Sequence, residues 1–170
     1  PEREQNFVQY HWGHRANWKA DEWLLELLVV CDGEVVGSQG IGAKRFALRR
    51  SVETGSWLGQ AYQGQGIGTE MRAAVLALAF DELGAVEAHS GARKENATSL
   101  GVSAKLGYEP NGVTQAVLGH QVSVMHRIRL SKERWAEHRP DYPITVTGLG
   151  RCRQLFGLVP PNTEVAERPR

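Results

Sequence analysis

Cysteine is scarce in this chain, and that limits its chemistry at once. Cys31 and Cys152 are the only two among 170 residues and stand far apart. Neither a disulfide framework nor a paired-cysteine zinc site is therefore expected. Cys31 closes an apolar run and reads as a small buried hydrophobe. An excess of one charge is missing too. Twenty basic and 19 acidic residues leave a net +1, which provides no basic face by composition and excludes nucleic acid as the expected partner. No apolar run approaches the roughly 20 residues that cross a bilayer, and no signal-peptide pattern opens the chain. The expected setting is a reducing cytoplasm, with no membrane partner. His11-x-x-His14 has a metal-ligand spacing, but no third ligand stands nearby, so no metal is expected.

What is present suits one domain with a real core: the composition is 41% hydrophobic and 23% charged. Phe7, Tyr10, His11, His14 and Trp18 recur at helical spacing, which predicts an aromatic helix packed on a sheet. Trp23–Val30 and Glu34–Ile41 read as strands around an Asp32-Gly33 hairpin turn. Residues 43–50 read as a short basic connection. Val52–Leu58 is the next expected strand. A helix follows over Gln65–Glu82, with Ile67, Met71, Ala74, Val75 and Leu78 on one face and Gly84 closing it. Val86–Ser90 is a short strand and Glu95–Lys105 a helix ended by Gly107. Tyr108–Thr114 and Gln121–Leu130 are strands punctuated by Asn111-Gly112 and Gly119-His120. Ser131–His138 is a capped helix. Pro140–Leu158 reads as irregular with a helical turn over Arg151–Leu158, and Val159–Arg170 as frayed. Strand, helix, strand, helix, strand indicates α/β packing.

The stretch Gln63-Gly64-Gln65-Gly66-Ile67-Gly68-Thr69 carries most of the chemistry. A strand that passes through three close glycines into a helix makes an anion site. Glycine tolerates positive φ and keeps the approach free of Cβ atoms. The first helix N–H groups lack internal partners and lie at the positive end of the dipole. A diphosphate suits both. The Gly spacing is not that of a dinucleotide fold, and no P-loop lysine follows.

The Gln63-x-x-Gly66-x-Gly68 frame resembles the acetyl-CoA loop of the GNAT superfamily of N-acetyltransferases. Asn96-x-x-Ser99 and Lys105-Leu106-Gly107-Tyr108 resemble its fourth helix and following strand. Glu53-Thr54-Gly55-Ser56-Trp57-Leu58 resembles the strand before the loop in the RimJ/RimL-like branch. These motifs span roughly residues 23–130. The resemblance implies an α+β fold with a mixed, mostly antiparallel central sheet and helices on both faces. It assigns residues 1–140 to the domain and 141–170 to a C-terminal extension, with the family's first strand and helix lacking at the start.

The resemblance further implies acetyl transfer from acetyl-CoA to a primary amine, on a protein N-terminus or a small molecule. N–H groups of Gln65, Gly66, Ile67, Gly68 and Thr69 would hold the diphosphate, with Gln63 at the rim and Gly64 among the loop's carrier-binding residues. A backbone N–H among Trp57, Leu58 and Gly59 would polarise the thioester carbonyl. Asn96, Ser99 and Lys105 would contact the carrier. Glu53 matches the branch's general base, with His89 in reserve. The tyrosine that many members use as the acid is replaced by Ser103; the branch's own serine matches Ser99. A CoA-binding module with little catalysis is the alternative, and a glycine-sharing nucleotide-binding domain is a further one. The family includes homodimers, but the sequence marks no interface.

Overall fold

The computed structural model describes residues 2–118 and 121–158. Helix α1 (Glu2–Ala16) leads into strands β1 (Glu22–Cys31) and β2 (Glu34–Lys44). Asp32 and Gly33 both have positive φ, 50° and 84°, the geometry in which a two-residue turn matches the strands' twist. A single helical turn, α2 (Phe46–Arg49), precedes β3 (Ser51–Leu58). After a 3-10 turn over Gln60–Tyr62 comes α3 (Ile67–Ala77), extended by a π turn over Leu78–Glu82. Then follow β4 (Glu87–Arg93), α4 (Ala97–Lys105), the pair β5 (Glu109–Leu118) and β6 (Gln121–Ser131), and α5 (Lys132–His138).

The six strands form one sheet in the order β1-β2-β3-β4-β6-β5. Every neighbouring pair is antiparallel except β3 and β4. That parallel pair keeps register only from Ser51–Glu87 to Glu53–His89. Beyond it side chains replace the ladder: Ser90 Oγ donates to the Thr54 carbonyl at 2.9 Å and Thr54 Oγ1 to the His89 carbonyl at 3.3 Å. The sheet is thus open from Gly55 onward, beside the start of α3.

One core forms where α3, α4, α5 and residues 144–158 cover the sheet. It is built on Ile41, Phe46, Val52, Val75, Leu76, Phe80, Leu83, Leu130 and Trp135. Strand alternation sends Trp23 and Leu25 into this face and Leu24 and Glu26 to the other. Ile144, Val146, Leu149 and Cys152 pack on the core, and Phe156 and Leu158 enter it. The Trp18 indole donates to the Leu155 carbonyl at 2.9 Å. Among the described residues no helix is long and apolar enough to cross a membrane.

Helix α1 forms and meets β1, but Phe7 and Trp12 turn away from the sheet: Phe7 is 62% exposed and Trp12 69%. Its rings meet each other instead, Phe7 with His11 at 4.2 Å and Tyr10 with His14 at 4.4 Å between centroids. Spacing of four brings rings together on any helix, whatever the helix rests on. Trp18 lies past the helix end and stacks on Trp23. The basic connection is shorter than expected, because β2 runs to Lys44 and α2 buries Phe46. Asn111-Gly112, expected as turn punctuation, is a bulge within β5: the register shifts there and Gly112 has a φ of 86°. Residues 119–120 and 159–170 lie outside the described residues, and with them the expected Gly119-His120 turn and frayed end.

Candidate active site

The glycine loop has the geometry of an anion cradle. Gly64 and Gly66 have φ of 77° and 88°, and no atom lies within 4 Å of where their Cβ atoms would stand. A side chain there would be strained and would project into open space. Gly66 is the N-cap of α3; its carbonyl accepts from Thr69 N–H at 2.9 Å and Glu70 N–H at 3.1 Å. Among the described residues no acceptor reaches the N–H groups of Gly66, Ile67 and Gly68. Two glutamine side chains brace the loop: Gln63 donates to the Leu58 carbonyl at 3.1 Å and Gln65 to the Ala61 carbonyl at 2.9 Å.

A cleft of about 470 Å³ opens over this loop, between the end of β3 and α4. Leu58, Gln63, Gly64, Gly66, Gly68, Thr69, Asn96, Ser99 and Lys105 line it. Of the residues expected at the carrier, Trp57, Gly59, Gln65 and Ile67 do not. Trp57 points into solvent, and Gly59 N–H is taken by the Val36 carbonyl at 2.9 Å. That bond sets the strand's alternation. The N–H of Trp57 faces β2 as Gly59's does, while those of Ser56 and Leu58 face the side from which β4 has diverged. Leu58 and Ser56 are therefore the strand donors that can meet a carbonyl in the opening; Ser56 was not among the expected residues. Asn96 caps α4 as anticipated, its Oδ1 accepting from Ser99 N–H at 3.1 Å.

Among the described residues no acidic side chain lines this cleft, whereas Arg72 and Lys105 do. Arg72 escaped the sequence reading. It is 5% exposed, and burial lowers its pKa from the usual guanidinium value. Its guanidinium donates to Ser56 Oγ at 2.9 Å, to Ser99 Oγ at 3.5 Å, to the Ser99 carbonyl at 3.4 Å and to Ser103 Oγ. The available signal was its place as the only charge in the apolar run Met71–Phe80. Ser103 lies behind Arg72, 1% exposed, and its own proton goes to the Ser99 carbonyl at 2.9 Å. Ser99 is on the cleft wall. The Tyr108 phenol is buried against Thr54 Oγ1 at 3.1 Å, and burial raises its pKa.

Glu53 faces the opposite side of the sheet from Ser56, as alternation along β3 requires. There it lines a second cleft of about 820 Å³ together with His89, Arg127, Lys44, Arg49 and His14. Glu53 pairs with Arg127 of β6, a residue the sequence offered no signal for. His89 does not sit in the core but beside Glu53 across the last β3–β4 pair, with Nε2 3.2 Å from Glu87. The two clefts meet the sheet on opposite faces, next to the opening between β3 and β4. An acyl carrier on one face and an acceptor on the other could approach each other there.

The N–H cradle, Lys105 and, among the described residues, walls free of carboxylates fit a diphosphate-bearing carrier. A family model described as an acetyltransferase (GNAT) domain matches residues 1–109. Among solved structures, Mycobacterium smegmatis RimJ in complex with CoA-disulfide aligns with a TM-score of 0.67 at 23% identity. The alignment covers 79% of this chain and 69% of that one. A chimera of the spermidine N-acetyltransferase SpeG from Vibrio cholerae aligns with a TM-score of 0.65 at 12% identity, over 78% of this chain and 82% of its own. At such identities these structures establish a shared fold.

Proposed function

The chain belongs to the GNAT acetyltransferase family, and on that premise we propose that it carries acetyl from acetyl-CoA to a primary amine by direct attack on the thioester. The observation that carries this reading is the cradle of unpartnered N–H groups at Gly66–Gly68, on the wall of a cleft beside the opening in the sheet. The diphosphate would lie on those N–H groups, and the thioester carbonyl would accept from Ser56 or Leu58 N–H. A fixed backbone donor needs no reorganisation as charge develops on that oxygen.

The acceptor enters from the Glu53 face. A lysine-like amine, with a pKa near 10.4, costs roughly 4–5 kcal/mol to hold neutral at pH 7, and an α-amine near 8 costs about 1. Glu53 supplies a carboxylate to take that proton, directly or through water. Its pairing with Arg127 holds the carboxylate in place. An incoming ammonium can compete with Arg127 for the same oxygens before it gives up its proton.

Glu53→Gln should lower kcat at neutral pH by about a hundredfold or more, with acetyl-CoA affinity nearly unchanged. Wild-type turnover in that variant would remove Glu53 from the role. Thermal shift with acetyl-CoA, CoA, ATP and NAD tests the carrier. Thiol release against an amine panel then separates an enzyme from a CoA-binding module, since the latter would bind and release nothing.

A further inference from the structure

Arg72 is a cation buried at the wall of the carrier cleft, with no carboxylate in reach among the described residues. Among the described residues it forms no ion pair, and its Nε–H is buried without an acceptor. An unpaired buried charge is costly, and cores normally exclude it or neutralise it. Every acceptor Arg72 does have is neutral: three hydroxyls and one carbonyl. Two of those hydroxyls, Ser56 and Ser99, belong to residues that line the cleft. A hydroxyl that accepts from a guanidinium keeps its own proton to donate elsewhere. Ser103 differs, because its proton is committed to the Ser99 carbonyl.

We propose that Arg72 is the positioning residue for departure of the CoA sulfur, turning the Ser56 and Ser99 hydroxyls into donors and supplying the counter-charge for the thiolate. The inference rests on the acetyl-transfer reading above. In the step itself the amine nitrogen bonds to the carbonyl carbon, and the C–S bond breaks with its electron pair going to sulfur. The sulfur leaves as a thiolate, stabilised by the two hydroxyls and the guanidinium field. The nitrogen's surplus proton goes to Glu53 or water, and the thiolate takes a proton from solvent on release. Among the described residues no tyrosine lines the cleft, so stabilising the thiolate takes the place of protonating it.

Calorimetric titration with CoA and desulfo-CoA across about pH 6 to 9 reads the effect directly. The wild type should bind CoA about tenfold tighter than desulfo-CoA at the upper end, with the ratio growing as pH rises, because a cation favours the thiolate. Arg72→Gln should bring that ratio to about one, leave acetyl-CoA affinity within about threefold, and lower kcat by about a hundredfold. Arg72→Lys should recover part of the ratio. A purely structural arginine would change stability but not the pH-dependent ratio. Should Arg72→Gln not fold, the wild-type ratio and Ser99→Ala, expected to reduce it, still decide the matter. Equal wild-type affinity for the two ligands at every pH overturns the proposal, as does an unchanged ratio in Arg72→Gln. A preference for succinyl-CoA over acetyl-CoA that Arg72→Gln abolishes also overturns it, placing the guanidinium at the acyl end. A wild type that binds neither CoA nor acetyl-CoA removes the acetyl-transfer reading itself.

Discussion

Asn96 illustrates how much a single side chain can be read in advance. Its identity just before an apolar helical pattern implied a cap, and its Oδ1 does accept from Ser99 N–H. Asn96→Ala should cost about 1 kcal/mol, measurable by urea unfolding. Because the same helix start carries Ser99, acetyl-CoA binding should weaken as well. Glu26 could not be read this way. It alternates with apolar residues on β1, and its surroundings are set by His11 and His14 of α1. Burial raises its carboxyl pKa, while the two histidines partly counter this. The folded chain therefore keeps that proton to higher pH than the unfolded chain. Its contribution to stability is present below the unfolded value of about 4.3 and declines as pH rises through the folded value. Glu26→Gln should therefore raise the melting temperature at pH 7, with the gain vanishing below about pH 4. Equal gains at both pH values would show that charge burial is not the cause.

The loop and α3 form the element where local rules and function agree. Positive φ at Gly64 and Gly66 follows from glycine, and the helix from the spacing of Ile67, Met71, Val75 and Leu78. Gly66→Ala should destabilise by about 1–2 kcal/mol through backbone strain, since nothing crowds its Cβ position. It should also weaken acetyl-CoA binding, seen as a smaller thermal shift. Helix α1 is the opposite case. Its heptad-like aromatic spacing was legible as a helix but not as an exposed one, because periodicity reports a face and not what lies against it. Only the tertiary structure shows that α1 meets β1, with His11 and His14 acting on Glu26, and leaves Phe7 and Trp12 outside.

Across the whole molecule, residues 144–158 complete the core they looked too irregular to join. Phe156 meets Trp18 and Trp23 edge-on, at 5.5 and 4.8 Å between centroids. Phe156→Ala should cost about 3–5 kcal/mol, seen as a melting temperature lower by roughly 10 °C. A change under about 2 °C would mean that this segment rests on the core without supporting it. The hairpin, the glycine loop, the capped fourth helix and the family resemblance were all determined by the sequence itself. Each depends on residues close together in the chain, where backbone preference and side-chain spacing act directly. Tertiary structure alone decided that Arg127 reaches Glu53 across the sheet, that Arg72 gathers Ser56, Ser99 and Ser103, and that Trp57 faces solvent. Those outcomes depend on how strands divide the two faces of the sheet and where β3 and β4 part. The pairing of segments distant in sequence sets that, and no local pattern encodes it.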